Sequence, residues 1–407
     1  YKQYAPKQLR EIVSAHRMLY YRDGPTATVC VHRIDRFLVL KINGKNEASS
    51  GSRDFETKLS LAHLPLLAAG ANKVAVIGLG SGMTTGAILC HPVERVDVFE
   101  IEPAVVEASR FFADLTGHPL QDPRLRLIMG DARSKLLTRE DRYDLIVSEP
   151  SNLWISGVAN LFTEDFFTAA ASRLTEEGIF SQWLQIYSLR EESVKSFLAT
   201  FRSVFPHTLV FKFTDLIILG SRQPIRFDYK KLQQAFQQPR IRESLSNTQI
   251  RFPGDMLIRL SLDAKGTAAF SQDAPLNTDD NMLLELAAPM SLYINRMDAI
   301  AAEMETHSHA AIDLVTGYDS QAGVYLEIAS AHFSAGEKEK AHRMILDSLK
   351  IEDSYHGRRM LGQWLLNEGC REEARQAFIK ALSLAGNEQE RDFVQGLLNS
   401  LGSKEKK

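Results

Sequence analysis

Three acidic side chains stand at the ends of successive short apolar runs. Glu100 closes Val96–Phe99, Asp131 follows Leu125–Met129 through Gly130, and Glu149 follows Leu145–Val147 through Ser148. A further run, Val74–Ile77, opens into Gly78-Leu79-Gly80-Ser81-Gly82. Glycines at such a turn let backbone approach a ligand with no Cβ in the way. A carboxylate at the tip of the next strand, where Glu100 stands, can accept both hydroxyls of a ribose. In Gly130-Asp131-Ala132, a carboxylate and a backbone N–H can hold an adenine edge. The four segments in this order point to an adenosine-bearing ligand. A nicotinamide dinucleotide fits less well, because Met83 and Thr84 follow Gly82 where the six-residue fingerprint needs its third glycine.

The elements that must carry these residues are legible in the pattern. From residue 73 onward, short apolar runs alternate with helical segments near Thr84–Cys90, Ala104–Leu115 and Ala132–Leu137. That alternation predicts parallel βαβ units whose strands are buried on both faces. A helix over Phe162–Leu174, a strand over Gly178–Leu184, a helix over Glu191–Val204 and a closing antiparallel pair, Thr208–Phe213 with Asp215–Ser221, complete a seven-stranded, mostly parallel sheet. Ligands of such sheets bind beyond the carboxyl ends of the strands, where all four segments lie. Ahead of it, residues 1–20 read as an amphipathic helix, and Thr26–Arg33 with Phe37–Ile42 as a small antiparallel sheet. Phe55–Leu67 resumes helical spacing. Helical fragments are expected at Lys230–Phe236, Gly254–Leu262 and Ala288–Glu303.

The tail differs. Gly336 and Ala341 recur at one common offset as Gly369 and Ala374, each glycine joining two stretches of helical periodicity, with Phe393–Leu401 as a cap. This predicts α-helical hairpins of the tetratricopeptide type, a surface for a protein partner. The expected domains are 1–70, 71–300 and 301–407.

Composition bounds the function. With 48 basic and 51 acidic residues the formal charge is −3, which leaves no basic excess for nucleic acid. Hydrophobic residues make up 44% and charged residues 24% of the chain, the balance of a globular protein. Three cysteines make neither a disulfide framework nor a CxxC pair, so a reducing, cytoplasmic setting is expected. The most apolar stretch, Leu61–Ala71, is short and interrupted by His63 and Pro65. The chain begins at Tyr1, so it reads as a fragment or processed form, with a membrane tether upstream of Tyr1 left open.

At residues 15–290 the sequence resembles the spermidine synthase (polyamine aminopropyltransferase) family, most closely the branch fused behind a membrane transporter-like region. The resemblance rests on Leu19-Tyr20-Tyr21-Arg22-Asp23-Gly24-Pro25, the Gly78–Gly82 turn, Glu100-Ile101-Glu102-Pro103, Gly130-Asp131-Ala132-Arg133, the run from Tyr143 to Asn152, and Leu276-Asn277-Thr278-Asp279-Asp280. It implies an N-terminal β-sheet before a Rossmann-like, methyltransferase-type sheet. It also implies transfer of a propylamine group from decarboxylated S-adenosylmethionine to an amine acceptor such as a polyamine, with no metal. Glu149 matches the family's catalytic aspartate, and Gly78, Gly80, Ser81, Gly82, Glu100, Asp131 and Ala132 its donor site. A homodimer is expected.

The departures are informative. Ser81 matches an acid of the family's glycine loop, Asn152 matches the second acid of the catalytic turn, and Lys58 falls where the family carries a Tyr-His-Glu helix. Lys58 repels a cationic donor arm but can pair with the carboxylate of intact S-adenosylmethionine; a solvated helix lysine is the bland alternative. Trp154 and Phe162 can wall a methylene chain, though burial is Phe162's expected role. Gln182 and Tyr187 are placed on the same rim, as substrate contacts or as partners of backbone. Asp279 and Asp280 hold a cation or cap a helix, capping being the default. His307 and His309 lack a third ligand and read as solvated loop residues. Three functions follow: an aminopropyltransferase, a methyl- or aminocarboxypropyl-transferase, and a weakly catalytic nucleoside-binding scaffold.

Overall fold

The computed structural model describes residues 16–153, 155, 157–246, 248–291 and 296–402. The chain divides into two compact units. The first comprises the chain to Phe227, Lys231–Arg251 and Arg259–Ala310. The second comprises Asp228–Lys230, Phe252–Ile258 and the chain from Ala311.

The first unit opens with a four-stranded antiparallel sheet in sequential order: β1 (His16–Asp23), β2 (Thr28–Ile34), β3 (Phe37–Ile42) and β4 (Lys45–Ser49). Residues 16–20, expected in a helix, are strand; positions 1–15 lie outside the described residues. Met18, Leu19 and Tyr20 are consecutive, and the pairing of β1 with β2 shifts register between Met18 and Tyr20. That irregularity breaks the two-residue period that announces a strand. Helix α1 (Ser52–Ala69) follows. Leu59, Leu61, Ala62, Leu64, Leu66 and Leu67 are all buried, so it is apolar around its circumference as only an enclosed helix can be.

The main sheet has eight strands. In chain order they are β5 (Lys73–Ile77), β6 (Arg95–Glu100), β7 (Leu125–Met129), β8 (Tyr143–Ser148), β9 (Leu174–Leu184), β10 (His207–Lys212), β11 (Leu216–Ser221) and β12 (Leu260–Leu262). Across the sheet they run β12-β10-β11-β9-β8-β5-β6-β7. The pairs β5–β6, β6–β7, β5–β8 and β8–β9 are parallel; β9–β11, β11–β10 and β10–β12 are antiparallel. The strand order reverses between β5 and β8, and a crevice must open there at the carboxyl ends. Helices α2 (Met83–Leu89), α3 (Pro103–Ser109), α4 (Ala132–Thr138), α5 (Glu164–Ala171) and α6 (Glu191–Val204) connect the strands. Phe162, Phe166, Phe167, Phe180, Phe197, Phe201 and Phe205 pack into one buried cluster, so Phe162 is core. The stretch expected to be helical at Gly254–Leu262 divides into a helix, Pro253–Leu257, and edge strand β12, which is the strand beyond the seven expected. Ala288–Glu303 is a 3-10 turn at Pro289–Ser291 and a helix at Met297–Thr306, with 292–295 outside the described residues.

The second unit is helical: α7 (Gln321–Ser334), α8 (Lys338–Ile351), α9 (Tyr355–Asn367), α10 (Arg371–Leu384) and α11 (Glu388–Gly402). α7 packs on α8 and α9 on α10. Gly336 and Gly369 turn the chain between partners with φ of +83° and +84°, a conformation that favours glycine. No helix among the described residues is long and apolar enough to cross a membrane.

Candidate active site

A cavity of about 480 Å³ lies at the carboxyl ends of β5, β6, β7 and β8, with residues from the N-terminal sheet and α1 closing it. It falls within the usual range for a small-molecule site. A larger depression, beside Asn72, Asp141, Asp144 and Thr175, sits at the opposite strand edge and is lined mainly by polar and charged residues.

Gly78 and Gly80 form the cavity's glycine wall. At Gly78 φ is +88° and an added Cβ would stand 2.8 Å from the Glu149 carbonyl oxygen. This turn is glycine because β5 and the end of β8 touch there, leaving no room for a side chain. Glu100 lines the cavity and is only 6% exposed. Its two carboxylate oxygens accept from the backbone N–H groups of Leu79 and Glu102, each at 2.9 Å. Burial pushes its pKa up, against those N–H groups. Lone pairs remain for a ligand hydroxyl, since a carboxylate has about four acceptor sites. Glu102, beside it, accepts from the N–H groups of Thr26, Ala27 and Ala104 and from the Thr26 hydroxyl. Burial alone would raise its pKa; this cradle lowers it. Glu102 thereby ties the β1–β2 turn to the rim.

Asp131 caps α4, accepting from the Ser134 N–H at 2.9 Å and its hydroxyl at 2.6 Å, and borders the cavity with Ala132 and Arg133. Arg133 is held by Asp279, which also accepts from the Thr163 hydroxyl at 2.7 Å. The Asp279 pair thus positions a cation on the cavity wall. His309 meets Asp263 at 2.9 Å.

Glu149 and Lys58 form an ion pair inside the cavity, with side chains 12% and 16% exposed. The Thr84 hydroxyl donates to the other Glu149 oxygen. Lys58 is therefore a lining residue. Glu47, from β4, faces the same space and accepts from the Ser151 hydroxyl at 2.6 Å and from Lys45 at 3.3 Å. Burial pushes the Lys45 ammonium down.

Of the residues singled out by sequence, Gly78, Gly80, Glu100, Asp131, Ala132, Lys58 and Glu149 line one cavity. Ser81, Gly82, Asn152, Gln182 and Tyr187 are not in its lining. Ser81 is buried, its hydroxyl without a hydrogen-bond partner among the described residues, and Gly82 caps α2 in the left-handed region. Asn152 donates to the Tyr187 hydroxyl at 2.9 Å, and Gln182 donates to the Trp183 carbonyl at 2.8 Å. Trp154 lies outside the described residues. Trp183, Glu47, Ser151 and Arg133 are lining residues to which the sequence assigns no role in the site. For Trp183 a signal exists: neighbours in a strand face opposite ways, so Gln182 belongs to the wrong face of β9 and Trp183 to the right one. Its indole N–H donates to Asp215 at 3.2 Å. Among the described residues no group of three or more His, Cys, Asp or Glu is placed to hold a metal.

The cavity lies at the switch point of an α/β sheet whose central strands are parallel, the place where open α/β sheets bind their ligands. Residues 54–217 match the model of the spermine/spermidine synthase domain. The chain is 27% identical over 233 residues to a polyamine aminopropyltransferase of Korarchaeum cryptofilum (strain OPF8), covering 54% of this chain and 71% of that protein. It is 31% identical over 157 residues to putrescine N-methyltransferase 2 of Nicotiana tabacum, covering 38% of this chain and 44% of that protein, so less than half of the latter's length is spanned. Similar solved structures are a spermidine synthase in complex with the transition-state analogue AdoDATO (TM-score 0.49, 18% identity, 71% of this chain and 89% of that one) and the spermidine synthase of Thermotoga maritima (TM-score 0.47, 19% identity, 71% and 88%). Residues 54–217 are thus similar to a spermine/spermidine synthase domain.

Proposed function

We propose that this domain binds an S-adenosyl sulfonium nucleoside and transfers an alkyl group from it to an amine. The observation that carries the reading is the convergence of Gly78, Gly80, Glu100, Asp131 and Ala132 on the cavity that also contains Glu149. Glu100 takes the ribose hydroxyls, and Asp131 with the Ala132 N–H takes the adenine edge. In the reaction an amine lone pair attacks the carbon beside the sulfonium; the C–N bond forms, the C–S bond breaks, and sulfur leaves as a neutral thioether. A free alkyl ammonium titrates near ~10.4 and has no lone pair to give. Glu149 holds the amine and accepts its proton. With decarboxylated S-adenosylmethionine as donor the product carries an added propylamine, in line with the aminopropyltransferase relative.

Lys58 favours a second reading of the donor. A cation lines the cavity, so intact S-adenosylmethionine, bearing a carboxylate, fits better. Methyl or aminocarboxypropyl transfer would follow. Calorimetric titration of both donors, with turnover of putrescine and spermidine, separates the two. Tighter binding of the decarboxylated donor and a propylamine product support the first reading; tighter binding of the intact donor and a methylated product support the second. Nucleoside binding without turnover would make this a scaffold, its helical hairpins, read as tetratricopeptide-like, recruiting a protein partner.

A further inference from the structure

Glu102 stands two residues beyond Glu100 and borders the cavity, yet it is only 2% exposed. Its carboxylate accepts from the Thr26 N–H at 2.8 Å, the Thr26 hydroxyl at 2.7 Å, and the N–H groups of Ala27 and Ala104 at 3.0 Å. A carboxylate has about four acceptor sites, so this one, unlike Glu100, has none left for a ligand. Three of its donors belong to the β1–β2 turn, which closes with the Gly24 N–H on the Ala27 carbonyl at 2.9 Å. Gly24 makes room for the carboxylate, since a Cβ there would stand 2.0 Å from Glu102 Oε1. Thr26 and Ala27 face the cavity. The next residue, Thr28, gives its N–H to the Asn43 side chain at 3.0 Å and takes the Asn43 N–H at 2.8 Å. Asn43 lines the cavity and leads into β4, which carries Glu47. The Glu102 N–H donates to Glu100 at 2.9 Å. One residue therefore touches Glu100 through its backbone and the wall of the N-terminal sheet through its side chain.

Resting on the reading of the cavity as a sulfonium nucleoside site, we propose that Glu102 is a positioning residue. It sets the wall of Thr26, Ala27, Asn43 and Glu47 against the strand tips, so that the amine is held where the nucleoside's reactive carbon lies. The nucleoside's own contacts, on the strand tips, do not pass through the Glu102 side chain. The sheet has a second hold on the core, because Tyr20 and Arg22 both donate to Glu107 of α3. Weakening Glu102 thus loosens the wall without undocking the sheet.

The test uses Glu102→Asp. Aspartate keeps the charge and favours the helix-capping position that Glu102 occupies on α3, but its shorter side chain does not reach the turn. Gly24→Ala breaks the same contact from the other side. S-adenosylhomocysteine is titrated into each protein, and putrescine, as the amine probe, into each complex. In both variants nucleoside affinity is expected to stay within about threefold of wild type, while putrescine binding weakens at least about tenfold, the scale of a small misplacement. The double variant should be no worse than the weaker single one, because both changes remove one contact. Unchanged putrescine affinity in the variants, or none in the wild-type complex, overturns the proposal. So do additive losses in the double variant, and equal losses of nucleoside and putrescine, which general structural damage would produce. Either single variant decides if the other does not fold; failure of both makes Glu102 a residue of the fold alone and overturns the proposal. If the wild type binds nucleoside and only the putrescine outcome fails, the reading of the cavity stands. If the wild type binds no nucleoside, that reading fails and the positioning role with it.

Discussion

At the scale of single residues, the site is a set of carboxylates held in different ways. Glu100 and Glu102 are fixed by backbone N–H groups, whereas Glu149 is paired with a flexible lysine side chain. Glu149 alone of the three is held by side chains and not by backbone, so an amine can take a partner's place on it without any change in the fold. Glu149→Gln is expected to lower turnover by about 10²- to 10⁴-fold, the usual contribution of a positioned acid or base. Nucleoside affinity should stay within about twofold, since Glu149 makes no contact with the nucleoside in this reading. Rate assays and calorimetry on the same preparation check it; an unimpaired rate would remove Glu149 from the mechanism. At Gly78 the positive φ disfavours a side chain and the Glu149 carbonyl blocks the Cβ. Gly78→Ala should therefore cost about 2 kcal/mol, the usual scale of backbone strain. A urea midpoint that does not move would contradict this.

At the scale of elements, the cavity depends on how closely α1 and α2 pack. Gly86 in α2 has no space for a methyl: a Cβ would stand 2.2 Å from the Thr116 carbonyl oxygen. Backbone cannot swing aside as a side chain can, so Gly86→Ala should destabilise by about 1–3 kcal/mol and loosen the turn that precedes α2. Thermal melts with and without nucleoside measure both effects. α1 also carries His63, whose Nδ1 lies 2.8 Å from Nε2 of His91 and whose Nε2 lies 2.9 Å from the Ser244 hydroxyl. Burial pushes His63 well below the usual histidine pKa, and His91 down to about 4. Between pH 6.5 and about 4 the unfolded chain therefore binds more protons than the folded one. Stability is complete above the ordinary histidine pKa and falls as pH drops below it, by about 1.4 kcal/mol per pH unit for each histidine. Urea titrations at pH 7 and pH 5 should show that fall, and His63→Gln should lessen it. A flat profile would mean that the pair can take up a proton in place.

For the whole molecule, two compact units with separate cores imply two unfolding steps. The cavity residues belong entirely to the first unit. Saturating S-adenosylhomocysteine should therefore raise one calorimetric transition and leave the other in place. The gain at one hundred times the dissociation constant is about 2.7 kcal/mol. A single transition that shifts as one would show that the helical unit unfolds together with the site.

The order of strands and helices in the main sheet was readable because parallel strands are buried on both faces and appear as short apolar runs. The acidic residues stand out where those runs stop. Short or irregular pieces were not readable: β12 has three residues, too few for a period, and β1 breaks its own. The sequence alone determined that Gly78, Glu100, Asp131 and Glu149 sit at neighbouring strand tips, since chain order and strand direction place them there. Only the tertiary structure decided that Lys58 rests on Glu149, that Trp183 and Glu47 face the cavity, and that Gln182 does not. These depend on how α1 and the N-terminal sheet dock across the strand ends. Long-range packing of that kind leaves no local period in a chain.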